Sequence, residues 1–305
     1  MLKCDKCNNI AVISVRYSGA HLCKKHFNDF FERRVKKEIR QQCDLKKGSK
    51  IAVALSGGKD STVAMHMVHK IFRERKDISI EAILVDEGIA TYRPYSIKIA
   101  KKNCKSLDIP LHIVRFSDYI GKTMDEIVEH GKDIFPCTYC GVFRRSCLNK
   151  KAKEIGTSVL ATGHNLDDTS QSIMMNLFKG DVEKLARLGP HNKIQKGLVP
   201  RIEPLRIIPE VETYLYALLN KIEIHGHEHC PYTAKAQRNE YRKILYDLEK
   251  TTPGTRHAIV SCYDQLRDIL QKKYQPARLK TCKRCGEPTL QTYCKTCILK
   301  KEWGM

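Results

Sequence analysis

The residues Ile51-Ala-Val-Ala-Leu-Ser-Gly-Gly-Lys-Asp-Ser61 join a short apolar run to a glycine-bearing turn with hydroxyl and charged side chains, and a helical pattern follows from Thr62 to Phe72. At a strand-to-helix junction of a parallel sheet, free backbone N–H groups and the helix N-terminus favour a bound phosphate. The spacing is not that of the nucleotide loop with two glycines five apart before Lys and Ser or Thr. Cysteines offer a second chemistry. Cys4-x2-Cys7 and Cys23-x2-His26, with fifteen residues between the pairs, put two donors on each of two knuckles and suit a tetrahedral Zn²⁺. Cys282-x2-Cys285 and Cys294-x2-Cys297 make a shorter four-cysteine ribbon. With four protein ligands neither site keeps an open position, so both zincs are read as structural and as a source of folding free energy.

The third grouping differs. Pro136-Cys137-Thr-Tyr-Cys140-Gly141 has no second C-x2-C near it, and the best third ligand is Cys230, in His229-Cys230-Pro231-Tyr232. Three cysteines suit a four-iron cluster in which one iron lacks a protein ligand. A zinc site completed by His227 or His229, a redox pair and a buried structural pair compete with that reading. Cys43, Cys104, Cys147 and Cys262 are scattered and read as structural.

The pattern between these groups alternates. Strands are expected at 51–55, 80–86, 111–116 and 158–161, and helices at 62–72, 95–106, 142–154 and 167–178. This rhythm predicts an α/β fold, a doubly wound, mostly parallel Rossmann-like sheet with ligands at strand carboxyl ends. Lys193 to Pro209 reads as loop, and helices return at 210–221, 236–250 and 255–273. The expected organisation is a zinc finger at 1–26, a linking helix at 27–49 and an α/β catalytic domain at 50–225. A helical extension at 226–280 carries the third cysteine, and a zinc ribbon closes the chain at 281–305.

The 305 residues carry 55 Lys and Arg against 34 Asp and Glu, a formal charge of +21. Thiolates at the metal sites lower this only to roughly +17. A large polyanion such as RNA is the natural partner. Fourteen cysteines with metal-like spacing, no apolar run near the ~20 residues of a membrane span and no apolar leader at Met1-Leu-Lys-Cys point to a cytoplasmic protein without a membrane partner.

Ser56-Gly-Gly-Lys-Asp-Ser61 matches Ser-Gly-Gly-x-Asp-Ser, and so resembles the pyrophosphate (PP) loop of the ATP pyrophosphatases, which split ATP between the α and β phosphates and adenylate a substrate. The full order is the three-cysteine, one-histidine finger, this loop, Cys137-x2-Cys140-Gly141, Ala161-Thr-Gly-His-Asn-Leu-Asp-Asp168, Cys230 and the terminal ribbon. Taken together it resembles the tRNA 2-thiouridine synthetases of archaea and thermophilic bacteria and their eukaryotic cytoplasmic relatives, over essentially the whole chain. The resemblance implies an ATP-dependent sulfurtransferase that adenylates uracil O2 of a tRNA uridine and replaces it with sulfur. It implies a [4Fe-4S] cluster on Cys137, Cys140 and Cys230, and a homodimer. As sulfur donor it implies a thiocarboxylated ubiquitin-like protein, with free sulfide as the other candidate.

On that footing the N–H groups of Gly57, Gly58 and Lys59, with the Ser56 and Ser61 hydroxyls, hold the β and γ phosphates. Asp60 orients Mg²⁺ or the loop. Ala54, Leu55 and Val85 offer backbone contacts to the adenine end, and Gly163 allows close approach there. Asp168 is the expected catalytic carboxylate, with Asp167 as a helix cap instead, and Arg144 is placed on the α-phosphate. The basic helix with Arg144, Arg145, Lys150, Lys151 and Lys153 is either a tRNA contact or a solvated face. Rival readings are a cytidine 2-thiolase, a lysidine synthetase or a non-enzymatic zinc-ribbon RNA-binding protein.

Overall fold

The computed structural model describes residues 2–131, 135–190, 195–225, 230–233, 237–275 and 279–304. Five strands form one parallel sheet: β1 (Lys50–Ala54), β2 (Ser79–Asp86), β3 (Leu111–Arg115), β4 (Val159–Ala161) and β5 (Arg201–Ile202). Their order is β3-β2-β1-β4-β5. Register pairs Ile51 with Ile80 on one side and with Val159 on the other. The chain therefore leaves β1 toward one edge and β4 toward the other. Their carboxyl ends flank the topological switch point, where such sheets open a crevice.

Side chains of β1 and β2 alternate between two cores because both faces are covered. Ile51, Val53 and Leu84 face one layer, while Ala52, Ile83 and Val85 face the other. The first layer holds α1 (Lys24–Gln42) and α2 (Lys59–Phe72), with Phe27, Phe31, Val63 and Met67 fully or nearly fully buried. Three further helices are α3 (Arg93–Ser106), whose Ala100 and Cys104 join the first layer, α4 (Pro136–Glu154) and α5 (Leu166–Phe178). Phe31 stacks on Tyr216 of α6 (Glu210–Leu219) with centroids 4.2 Å apart, so α1 is a core element. The second layer centres on Phe116, Phe143 and Cys147, with Phe143 and Cys147 on α4. Further along, α7 (Arg238–Thr251) and α8 (Thr255–Lys273) are separated by Gly254 in the left-handed region at φ 97°. Val260 and Tyr263 of α8 close a smaller core against Leu166 and Ile173 of α5.

Three expectations change. The helix expected at 142–154 begins at Pro136, so Cys137 and Cys140 ride its first turn. Proline suits that position because its missing N–H has no intrahelical partner there. The stretch 193–209 is not wholly loop, since Arg201–Ile202 pairs with β4 as the fifth strand. Two residues are too few to show periodicity. A short helix, Met124–His130, was also unexpected, although Thr123 and Glu126 form a complete capping box at its start. Among the described residues no helix is long and apolar enough to cross a membrane.

Candidate active site

The turn after β1 is held by its own side chains. The Ser56 and Ser61 hydroxyls lie 2.9 Å apart, the Ser56 N–H donates to Ser61 Oγ at 3.0 Å, and the Gly58 N–H donates to Ser56 Oγ at 3.3 Å. Gly57 sits at φ 84°, and a Cβ there would stand 2.3 Å from the Ser96 carbonyl oxygen, so only glycine fits. Gly58 caps α2 without a side chain, so the first-turn N–H groups keep no capping acceptor and point toward any anion at the turn.

A Cβ on Gly163 would lie 2.6 Å from the Ser61 backbone nitrogen, so glycine there admits the start of α2 close to the end of β4. Ala54 ends β1, and the Leu55 N–H is bonded to Ile83 O at 2.9 Å, which leaves only its carbonyl for a ligand. Val85 is buried in register with Val114.

The acidic residues occupy two neighbouring helix starts. Asn165, not Asp167, caps α5, and Asp168 completes the capping box. Asn165 also donates to Asp60 Oδ1 at 3.1 Å, which ties the two helix starts together. Lys59 bridges Asp60 at 3.0 Å and Glu210 at 2.6 Å. Burial pushes the Asp60 carboxyl above its usual range; the Asp168 charge adds to this, and Lys59 and Asn165 oppose it. Asp168 pairs with Arg238 at 3.0 Å. Asp167 is buried and turned away, bonded to the Glu210 N–H at 2.8 Å and to Arg256 at 2.6 Å.

The cysteines of the third grouping come together across the fold. Cys137 Sγ lies 3.7 Å from the Tyr232 carbonyl, 95 residues away in the chain, and Tyr232 is anchored by its hydroxyl to Asp125 at 2.6 Å. Cys230 packs in the same layer as Cys140. Burial raises the Cys140 thiol to about 11, against the lowering charge of Arg144, and burial raises Cys230 as well. Desolvated thiols of this kind ionise readily only with a metal to take the charge. Among the described residues only the two terminal sets gather their donor atoms within 4.8 Å, the crowding that one ion demands. The donor atoms of the internal three do not all crowd within that distance. His227 and His229 lie outside the described residues.

In the finger, Cys4 Sγ and His26 Nδ1 are 3.3 Å apart, and Cys7 and Cys23 Sγ 3.7 Å. In the ribbon, Cys285 and Cys294 Sγ stand at 3.5 Å. Thiolates at about 2.3 Å from one zinc need such spacing. Desolvation raises the Cys4 and Cys282 thiols, but backbone hydrogen bonds outweigh it and each falls to about 6. Each set thus holds a ready thiolate.

Two side chains missed in the sequence join the halves of the site. Glu87, just past β2, contacts Arg93, and Arg93 donates to the Ser56 carbonyl at 3.1 Å. Arg144, one turn beyond Cys140, stands 3.7 Å from the same Glu87. The only available signal was an acidic pair, Asp86-Glu87, at a strand's carboxyl end. The basic face of α4 is largely engaged within the protein: Lys151 pairs with Glu154, Lys153 with Glu287 of the ribbon, and Lys150 lies over Tyr119.

Residues 28–248 match the family described as "PP-loop domain", and residues 3–28 match "2-thiouridine synthetase TtuA, N-terminal LIM domain". The chain is 38% identical to the tRNA 2-thiolation protein NcsA of Haloferax volcanii, over 98% of both chains. It is 34% identical to the tRNA-5-methyluridine(54) 2-sulfurtransferase of Pyrococcus horikoshii, over 100% of this chain and 94% of that one. The solved structure of the U34-tRNA thiolase NcsA from Methanococcus maripaludis with its [4Fe-4S] cluster superposes with a TM-score of 0.87 at 37% identity, covering 100% of this chain and 97% of that one.

Proposed function

The chain belongs to the PP-loop family of tRNA 2-thiolation proteins, and from that premise we propose that it is an ATP-dependent tRNA uridine 2-sulfurtransferase releasing AMP and pyrophosphate. The observation that supports this reading is the chain of contacts from Ser56 through Arg93 and Glu87 to Arg144, which links the loop after β1 to the helix that carries Cys137 and Cys140.

Uracil O2 is a poor leaving group. Attack of O2 on the α-phosphate expels pyrophosphate and turns the oxygen into part of AMP. A sulfur nucleophile then adds at C2, and AMP leaves with that oxygen. The N–H groups at the start of α2 receive the β and γ phosphates, while the Ser56 and Ser61 hydroxyls keep the turn in shape. Asp60 and Asp168, on adjacent helix starts, are the carboxylates for a Mg²⁺ that neutralises the departing pyrophosphate. Arg144 offers its fork to the α-phosphate, where charge builds. A [4Fe-4S] cluster on Cys137, Cys140 and Cys230, which the donor set fits, supplies when bound an iron position open to a sulfur ligand.

Two Zn²⁺ in the terminal sets brace the protein, and the positive charge recruits tRNA. A homodimer, a cytoplasmic setting and a sulfur donor that is a ubiquitin-like thiocarboxylate or free sulfide complete the proposal. The test is anaerobic incubation with tRNA, ATP, Mg²⁺ and sulfide, followed by nucleoside mass spectrometry. The expected product is 2-thiouridine, formed one for one with AMP. Lysidine or 2-thiocytidine in its place would overturn the assignment, as would nucleosides unchanged by protein whose iron is intact.

A further inference from the structure

Glu87 is 1% exposed and Arg93 4%, whereas Arg144 is half exposed. A carboxylate buried that deeply persists only if its charge is answered. Arg93 answers it and has further duties, donating to the Ser56 carbonyl at 3.1 Å and to Ser96 Oγ at 3.3 Å. Arg144 stands differently. Its guanidinium is 3.7 Å from Glu87 Oε1, too far for a hydrogen bond, and water reaches it, so burial does not require the contact. The two oxygens of Glu87 are divided between the guanidinia: Oε2 meets Arg93, which clamps the loop, and Oε1 faces Arg144.

We propose that Glu87 is a positioning residue that sets the Arg144 guanidinium over the phosphate loop, while Arg93 fixes the loop through its own bonds to the Ser56 carbonyl and Ser96 Oγ. The proposal rests on the reading above, in which Arg144 meets the α-phosphate. A purely structural Glu87 would act through the loop alone, weakening ATP binding whether or not Arg144 is present.

The cluster-loaded, zinc-loaded protein and its E87Q, R144A and double variants are compared by single-turnover AMP release in the presence of tRNA. E87Q is expected to lower the maximal rate about tenfold or more, with the ATP concentration dependence within about threefold of wild type. In the R144A background E87Q is expected to cost no more than about a further twofold. An equal loss in both backgrounds, or a loss confined to ATP affinity, overturns the proposal. Should E87Q lose its metals or its cooperative melt, Glu87→Asp, which keeps the charge on a shorter arm, enters the same cycle with the same criteria. AMP release without 2-thiouridine overturns the functional reading and leaves the cycle readable.

Discussion

The terminal metal sets and the internal cysteine triad use the same side chain in opposite ways. Each terminal set draws its ligands from one short stretch, Cys4 to His26 or Cys282 to Cys297, and its donor atoms already crowd within 4.8 Å. Two of these thiols sit at about 6 because backbone N–H groups from both knuckles of the set hold them there. The internal triad joins the first turn of α4 to a segment more than ninety residues later, and burial raises its Cys140 thiol to about 11. Under the proposal above, a local site with four ligands is closed and serves stability, whereas a site assembled across the fold with three thiols stays open and depends on everything that positions it.

The sharpest way to break this contrast is to remove one thiol from each kind. Cys137→Ala is expected to lower 2-thiouridine formation about a hundredfold or more with zinc content unchanged. Near-full activity in that variant, by nucleoside mass spectrometry, would show that the triad is not the chemical half of the site.

Gly163→Ala tests the other half. Its Cβ would be forced to within 2.6 Å of the Ser61 nitrogen, so the start of α2 must shift. The half-saturating ATP concentration should rise about tenfold, with iron content retained. An unchanged ATP dependence would mean that the N–H groups of this turn do not hold the nucleotide.

Cys294→Ser should release about one zinc per chain and leave thiolation within about fivefold of wild type. Some loss is expected because the ribbon braces the cysteine helix: Glu287 receives Asn149 and Lys153, and Trp303 meets the Tyr139 ring edge-on at 5.9 Å. A loss as large as that of Cys137→Ala would erase the distinction between bracing and chemistry.

The smallest effect concerns the finger's attachment. Tyr17 bonds to Glu212 at 2.6 Å and its ring lies 4.2 Å from His257, which also faces Arg34, Glu249 and Arg256. Burial, and then the Arg34 charge, bring His257 from 6.5 down to about 4. Folding therefore favours the neutral ring. That contribution is complete above pH 6.5 and is lost as the pH falls toward 4, on the order of 2 kcal/mol by pH 5. Denaturant titrations at pH 7 and pH 5 should show a smaller difference for His257→Gln than for wild type. An identical difference would remove His257 from the account.

Wherever ligands or apolar residues repeat at short range, the residue order made the structure legible. The two knuckle sets, the turn at 56–61, four of the five sheet strands and the helix at 255–273 were all readable because their signals are local: spacing, alternation and a glycine between a strand and a helix. The fifth strand escaped because two residues carry no period, and the start of α4 because a cysteine-rich first turn does not look amphipathic. The capping role of Asn165 was also missed. Asn, Leu and two Asp in succession offer several candidates, and only the helix axis selects which side chain turns back on the N–H groups.

Residue types and their spacing thus determined the kinds of chemistry present: a phosphate turn, two closed metal sites and an unpaired set of cysteines on a basic chain. Tertiary structure decided how they are combined. The crossing of the chain at the switch point brings Asn165 to Asp60, the Tyr232–Asp125 bond delivers Cys230 to α4, and a single buried Glu87 faces both Arg93 and Arg144. Those pairings join residues tens of positions apart in most cases, through burial and charge that exist only once the sheet has closed over them.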